Sequence, residues 1–280
     1  MIRAGSLATL TALLLLTSTV LAQNTPARFR WQPGQVLNYK VEQLTTVSDA
    51  AEGTKADSST KLSEIKRWQV LAVDAAGVAT VQLSLPSLRL ETTTPGGDVL
   101  LFDSANPDKS NAQLREQLSK YVNAPLAILR IDSLGKVVEV KECKHGSASK
   151  FEAELPFIVA LPAEGIRMGQ SWERPYQVTL DPPQGTGEKY PAVQKFTCKA
   201  IQGTVASLAL TTTLKSLPEA VADQVPLLQM QPEGEIVFDL QTGCVRKVQM
   251  QIDKELKGHQ GEGSSYRFKS SYTQEWMANN

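Results

Sequence analysis

The chain is poor in the residues that carry most protein chemistry. Its 280 residues include three cysteines (Cys143, Cys198, Cys244) and two histidines (His145, His259). The cysteines form no Cys-x-x-Cys pair, and only two histidines are available to help, which argues against a zinc site. No cofactor is expected. In an oxidising compartment the three cysteines give either one disulfide plus one thiol, with three pairings open, or three buried thiols acting as small apolar residues. Excess charge is also lacking. With 29 basic and 29 acidic residues, there is no electrostatic case for nucleic acid or an anionic membrane as partner. The sequence contains no Gly-x-Ser-x-Gly elbow, no phosphate-binding Gly-rich loop with Lys-Ser/Thr, and no His-Glu-x-x-His. "ECKHGS" puts Cys143 two residues from His145, but a nucleophile and its base meet in space, so this spacing adds nothing. "GHQGEGSS" (Gly258 to Ser265) holds a histidine and a glutamate in the Gly/Ser setting of a hairpin loop. Glu152 and Glu154 fall at an expected helix start, where charge is normally solvated. An enzyme is not expected.

Only one long apolar run is present, and it comes first. In "MIRAGSLATLTALLLLTSTVLAQ", Arg3 is the positive n-region, Leu7 to Leu16 the apolar core, and Val20-Leu21-Ala22 a small-residue cleavage site. Residues 1–22 are therefore expected to be a signal peptide. The run is shorter than the roughly 20 apolar residues of a membrane span, and no cysteine follows Ala22 to carry a lipid. The expected product is soluble, periplasmic or secreted, with no transmembrane segment after cleavage.

What remains is rich in strands. "VLNYKVEQLTTV" alternates Leu37, Tyr39 and Val41 with Asn38, Lys40 and Glu42, the period-2 pattern of a half-buried strand. Hairpins are expected at Asp74-Ala75-Ala76-Gly77, Pro95-Gly96-Gly97-Asp98 and Asp132-Ser133-Leu134-Gly135, with alternating apolar residues on both sides of each. "SSYRFKSSYTQEW" adds a last strand with Tyr266, Phe268, Ser270 and Tyr272 on one face. A helix is expected near residues 107–122, with Leu114, Leu118, Tyr121 and Val122 on one face, Ser110 or Asn111 as cap, and Pro125 beyond its end. A short helical piece is expected around Ser149 to Leu155.

The pattern also repeats. Gly34-Gln35 matches Gly169-Gln170, "WQVLAVDAAGVATVQL" matches "FTCKAIQGTVASLAL", and "LRIDSLGKVVEV" matches "IVFDLQTGCVRKVQM", in the same order. "SLPEAVADQV", with Pro218 at a first helical turn, falls where the Leu114 helix falls in the first half. The expected organisation is a first β-rich repeat at 23–142, a connector at 143–165 and a second repeat at 166–280. Trp31 and Trp172, beside the two Gly-Gln turns, are expected to anchor the edge of the core. The expected fold class is mainly β (α+β): an antiparallel, strongly curved sheet or half-barrel built from two related halves, with one or two helices packed on its concave face.

The succession of "WQPGQVLNYKV", hairpins of the "IDSLGKVVEV" kind and "LPAEGIRMGQSW", spanning Phe29 to about Trp276, resembles a family of exported bacterial β-rich proteins of unknown function. More loosely, long antiparallel strands around a helix resemble the half-barrels of periplasmic lipoprotein carriers and lipid binders, a likeness of fold that does not fix function. It implies a lipid or other apolar small molecule as ligand. The alternative is an envelope protein as partner, met through exposed strand edges. Pocket walls are expected at Leu83, Leu85, Leu88, Leu129, Ile131 and Val138, with Leu114 and Leu118 from the helix; otherwise these are core residues. Expression in an exporting host should yield a chain that starts at Gln23, checked by N-terminal sequencing; a chain that retains Met1 would remove the export reading.

Overall fold

In the computed structural model the described residues are 26–144, 148, 151 and 159–278. The expected leader, and most of the short helical piece expected around Ser149 to Leu155, lie outside them. Twelve strands form among the described residues: β1 Val36–Ala51, β2 Thr54–Val73, β3 Ala79–Thr93, β4 Val99–Asp103, β5 Pro125–Ile131, β6 Val137–Cys143, β7 Ser171–Leu180, β8 Glu188–Gln202, β9 Val205–Leu214, β10 Glu233–Asp239, β11 Cys244–Lys257 and β12 Ser265–Met277. All belong to one sheet in the order β6-β5-β3-β2-β1-β12-β11-β10-β9-β8-β7, with β4 paired to β3 beside that path. Neighbours are antiparallel throughout. The two ends of the path are not joined, so the sheet is curved and open.

Alternation explains why these segments are strands and which face they bury. Leu37, Tyr39 and Val41 are buried on β1, and so are Phe196 and Cys198 on β8. Residues paired across an antiparallel ladder share a face. One core collects that face from β1, β2, β3 and β5 and from β8, β9, β10 and β11, so the two wings of the sheet curl toward a common interior. Twist supplies part of this curl. Bulges supply more, at Val70/Ala72 between β2 and β3 and at Cys198/Ala200 between β8 and β9.

The turns that launch β1 and β7 are built alike. Gly34 N–H donates to Val70 O and Val70 N–H to Gln35 O, both at 2.9 Å; Gly169 N–H donates to Cys198 O at 2.8 Å and Cys198 N–H to Gln170 O at 2.9 Å. Each glutamine side chain accepts from the backbone three residues back, Gln35 from Gln32 and Gln170 from Arg167.

Two straps fill the interior that the sheet leaves open. Residues 26–33 bring in Ala27 and Phe29, and residues 159–166 bring in Val159, Leu161 and Ile166, all buried. Phe29 stacks on Trp31 with centroids 5.0 Å apart and meets Phe238 edge-on at 5.2 Å. The straps hang from hairpin turns: Phe29 N–H donates to Ser133 O, Leu161 N–H to Leu134 O, and Arg30 N–H to Gly243 O. Here glycine is required. Gly135 (φ 86°) and Gly243 (φ 64°) occupy the left-handed region. A Cβ on Gly243 would lie 2.5 Å from Arg30 N, and one on Gly135 would lie 2.7 Å from the Phe29 ring and closer still to Val159 O.

The helix is shorter than expected and lies elsewhere. α1 spans Ala112–Leu118, capped by Asn111, whose Oδ1 accepts from Gln113 and Leu114 N–H; 3₁₀ turns at Pro107–Lys109 and Ser119–Tyr121 flank it. It contacts β4 and buries no residue completely. The concave face is instead covered by a 3₁₀ segment, Ala222–Met230, which contacts β11 and β12 and packs Leu227 against Val178, Leu180 and Ala192. No disulfide joins Cys143, Cys198 and Cys244. Their cross-strand neighbours are Ala127, Leu208 and Asp239, so none faces another. Burial pushes the Cys198 and Cys244 thiols up, away from the reactive thiolate.

Asp239 sits at the β10–β11 turn and is buried. Burial alone would raise its carboxyl, but Thr242 N–H, the Arg246 guanidinium and Gln241 N–H together hold it below the ordinary value. A folded pKa below the unfolded one gives stability that is present above the unfolded pKa and lost as pH falls through the folded one. Stability should therefore drop on acidification below about pH 4, and Asp239→Asn should flatten that part of a urea-denaturation pH profile. Phe29→Ala should cost about 3–5 kcal/mol in the same assay. A loss under about 1 kcal/mol would mean the strap is not structural.

Candidate functional site

Above the core, the concave face turns polar. On β2 the inward positions run Trp68, Lys66, Glu64, Leu62, set by register against Leu37, Tyr39, Val41 and Gln43 of β1. On the other side of β1, Gln43 faces Tyr272 and Thr45 faces Ser270 of β12, while Met250 and Ile252 of β11 face Tyr272 and Ser270 in turn. Two charges thus stand on the inner face of central strands. Lys66 Nζ lies 3.4 Å from Glu64 Oε1, with 13% and 8% of their side chains exposed. Lys66 Nζ also sits 5.9 Å from the Tyr272 ring centroid, a cation–π arrangement. Tyr272 OH donates to Gln274 Oε1 at 2.9 Å, and Gln43 Nε2 donates to Ser270 Oγ at 3.1 Å.

These groups line a cavity of about 660 Å³. Its floor is Gln43, Glu64, Lys66, Ser270 and Tyr272. Its apolar walls are Leu62, Met250 and Ile252 from the sheet, and Met230 and Pro232 from the end of the 3₁₀ segment. The loop Asp181 to Gln184, which follows β7, completes the rim. The volume lies within the roughly 300–1,000 Å³ range of small-molecule sites. A second void, among Phe29, Tyr39, Trp68 and Ile236 in the core, measures about 10 Å³ and holds at most a water. Among the described residues no group of three or more His, Cys, Asp or Glu is placed to hold a metal ion.

The sequence-expected wall residues fall elsewhere. Leu83, Leu129 and Ile131 lie in the main core, and Leu85 and Leu88 are also buried. Leu114 and Leu118 are half-buried on α1, away from the cavity. Val138 is 45% exposed, while Val137 and Val140 pack on the core, because bulges shift the β5–β6 register. The cavity-lining charges were missed. Their signal is visible in "KLSEIKRWQV": Leu62, Glu64, Lys66, Trp68 and Val70 share one phase, so two charges interrupt an otherwise apolar stripe. Far from the cavity, at the tip of the long hairpins, His259 Nε2 lies 3.0 Å from Asp49 Oδ1.

The geometry defines an open, curved antiparallel sheet with a concave cavity. No protein-family model matches the chain, and no curated protein does. Among solved structures it is similar to lipovitellin, from work on lipid–protein interactions in that protein, with TM-score 0.46 and 10% identity over 89% of this chain and 26% of the other. It thus spans about a quarter of the lipovitellin chain. It is also similar to DynF from the dynemicin biosynthesis pathway of Micromonospora chersina, with TM-score 0.23 and 7% identity over 97% and 92% of the two chains.

Removing one member of a buried pair strands the other charge, whereas replacing both with apolar groups is often neutral. Lys66→Met alone should cost about 3 kcal/mol, and Glu64→Leu/Lys66→Met should return to within about 1 kcal/mol of wild type by urea denaturation. A double variant as weak as the single would show that the polar floor is needed for folding itself.

Proposed function

We propose that the chain is an exported, soluble binding protein for an apolar or amphipathic small molecule, acting by binding and not by catalysis. The cavity over the Glu64–Lys66 pair carries this reading. Apolar walls facing a floor of buried charge suit a ligand with a hydrocarbon body and a polar group. The matching Gly-Gln turns and the matching bulges that follow Trp68 and Phe196 support two related halves, one on each wing of the sheet.

The alternative, a protein-interaction module of the cell envelope, draws support from the edges. Among the described residues β6 and β7 end the sheet with unpaired outer edges, the template on which another strand can add. Native mass spectrometry of protein purified from an exporting host separates the two readings. Binding predicts added mass that disappears on denaturation, and lower occupancy in Leu62→Trp, which fills the cavity. A clean monomer would overturn the binding reading. A clean oligomer or a co-purified chain would favour the interaction module.

A further inference from the structure

The inner face of the sheet does not end at the cavity. The β1–β12 and β11–β12 ladders run without a bulge from the cavity floor to the hairpin tips, so one side-chain phase can be followed outward. Past Ser270 and Ile252, which line the cavity, that phase presents Phe268 and Tyr266 on β12, Leu256 on β11 and Val47 on β1. All four are half-buried, whereas Val41, Val248 and Met250, in the same phase nearer the core, are buried. The core packing that covers the inner face lower down has stopped, but the apolar pattern has not. Lys254 stands among these residues, opposite Phe268, where a lysine can lay its stem along an apolar surface and keep its charge in water. The outer face of the same strands is charged: Asp253 pairs with Arg267 at 3.0 Å and with Lys269 at 3.3 Å.

The strip has a width, a length and an end. It covers β1, β12 and β11, two strand spacings or roughly 10 Å, and β2 borders it with hydroxyls, Thr60 and Ser58. That is far below the roughly 800 Å² per partner of a stable protein interface, but it suits one hydrocarbon chain. From Tyr272 to Tyr266 along β12 is six residues, roughly 20 Å. A membrane lipid tail spans half of a bilayer core of roughly 30 Å, so the strip accommodates a whole tail of that kind. At the far end His259, 8% exposed, meets the Tyr266 ring edge-on at 5.8 Å and reaches Asp49 Oδ1 at 3.0 Å. Asp49 and Tyr266 face each other across the β1–β12 ladder, so the imidazole closes the strip at the hairpin tips.

We propose that this strip is the track for the hydrocarbon tail of the ligand, with the polar group held at the Glu64–Lys66 floor and the tail running along Phe268, Val47 and Leu256 toward His259. The ligand class is then a single-tailed amphiphile of membrane-lipid length. This rests on the binding reading above and narrows it. Continuity decides the occupant: Ile252 and Ser270 belong to both cavity and strip, so a chain that leaves the cavity along the sheet enters the strip without crossing a polar barrier.

The test holds the head group constant and varies the tail. Octyl, dodecyl and hexadecyl lysophosphatidylcholine, each below its micelle concentration, compete with anilinonaphthalene sulfonate for the full chain. Affinity should keep rising past the dodecyl compound, with the hexadecyl compound at least about tenfold tighter. Phe268→Ser should bring the hexadecyl compound down to the dodecyl level and leave the octyl compound unchanged. Val47→Thr, which keeps shape and strand propensity, should act in the same direction and reports independently if Phe268→Ser folds poorly. Affinity that levels off at the dodecyl compound would overturn the track and leave the binding reading standing, with the tail coiled in the cavity. Variants that keep the full hexadecyl advantage would overturn it equally. An unliganded dimer that both variants dissociate would assign the strip to self-association instead. If no compound displaces the dye, the binding reading falls and the track with it.

Discussion

A curved sheet that does not close must have its apolar hollow filled by something other than its own strands. In this fold the fillers are the straps at 26–33 and 159–166, and their path is fixed where they cross the Asp132–Gly135 and Asp239–Gly243 turns. At each crossing backbone meets backbone at a distance only glycine permits. The rest of the core follows. Phe29 reaches Phe238 because Arg30 is tied to Gly243, and the two wings share a core because the straps occupy the space between them. Tyr39 completes the arrangement, since its phenol donates to Val245 O at 3.0 Å and burial holds it protonated.

Above this filled region the hollow stays open, and its chemistry changes. Burying a leucine-sized side chain contributes about 1.5–3 kcal/mol. Taking a lysine and a glutamate out of water costs several kcal/mol per ion, which their mutual attraction only partly repays. Stability alone would place leucine and methionine at 64 and 66, in phase with Leu62 and Trp68. The charges there are local costs that a bound partner would offset. The charges at 64 and 66 line the concave cavity of about 660 Å³.

Much of the fold was legible because strands and tight turns are local. The turns at Asp74–Gly77, Pro95–Asp98 and Asp132–Gly135 connect strands as their residues imply. The helix near 107–122 was overextended. Asn111 starts an α-helix, but the chain tightens into a 3₁₀ turn at Ser119 and leaves helical geometry at Val122. The segment that covers the concave face was harder to read, since Ala222–Met230 contains Pro226 and has little amphipathic pattern. The cavity was not legible at all. It forms where a loop after β7 and the end of that segment reach across to β2, β1, β12 and β11, and no period-2 pattern records which distant strands will face each other. Apolar residues such as Leu129 and Ile131 looked like candidate walls, but an inward apolar residue is core unless the opposite wing stands away from it.

The strand order has a kinetic meaning. β1 and β12 pair along almost their whole length, from Asn38 opposite Met277 to Ala50 opposite Ser265, so the central seam joins strands from the two ends of the described residues. The other ladders in the path are of shorter range, the longest being β3–β5, where Ala79 stands opposite Ile131. Most of the other ladders are hairpins, but the seam must close a loop of more than two hundred residues, and long-range pairing of this kind is slow. Until it forms, the inner edges of both β1 and β12 are bare. The protein is thus most open to mispairing in the interval between the folding of its halves and their joining, and whatever keeps the two halves of one molecule together through that interval governs its yield.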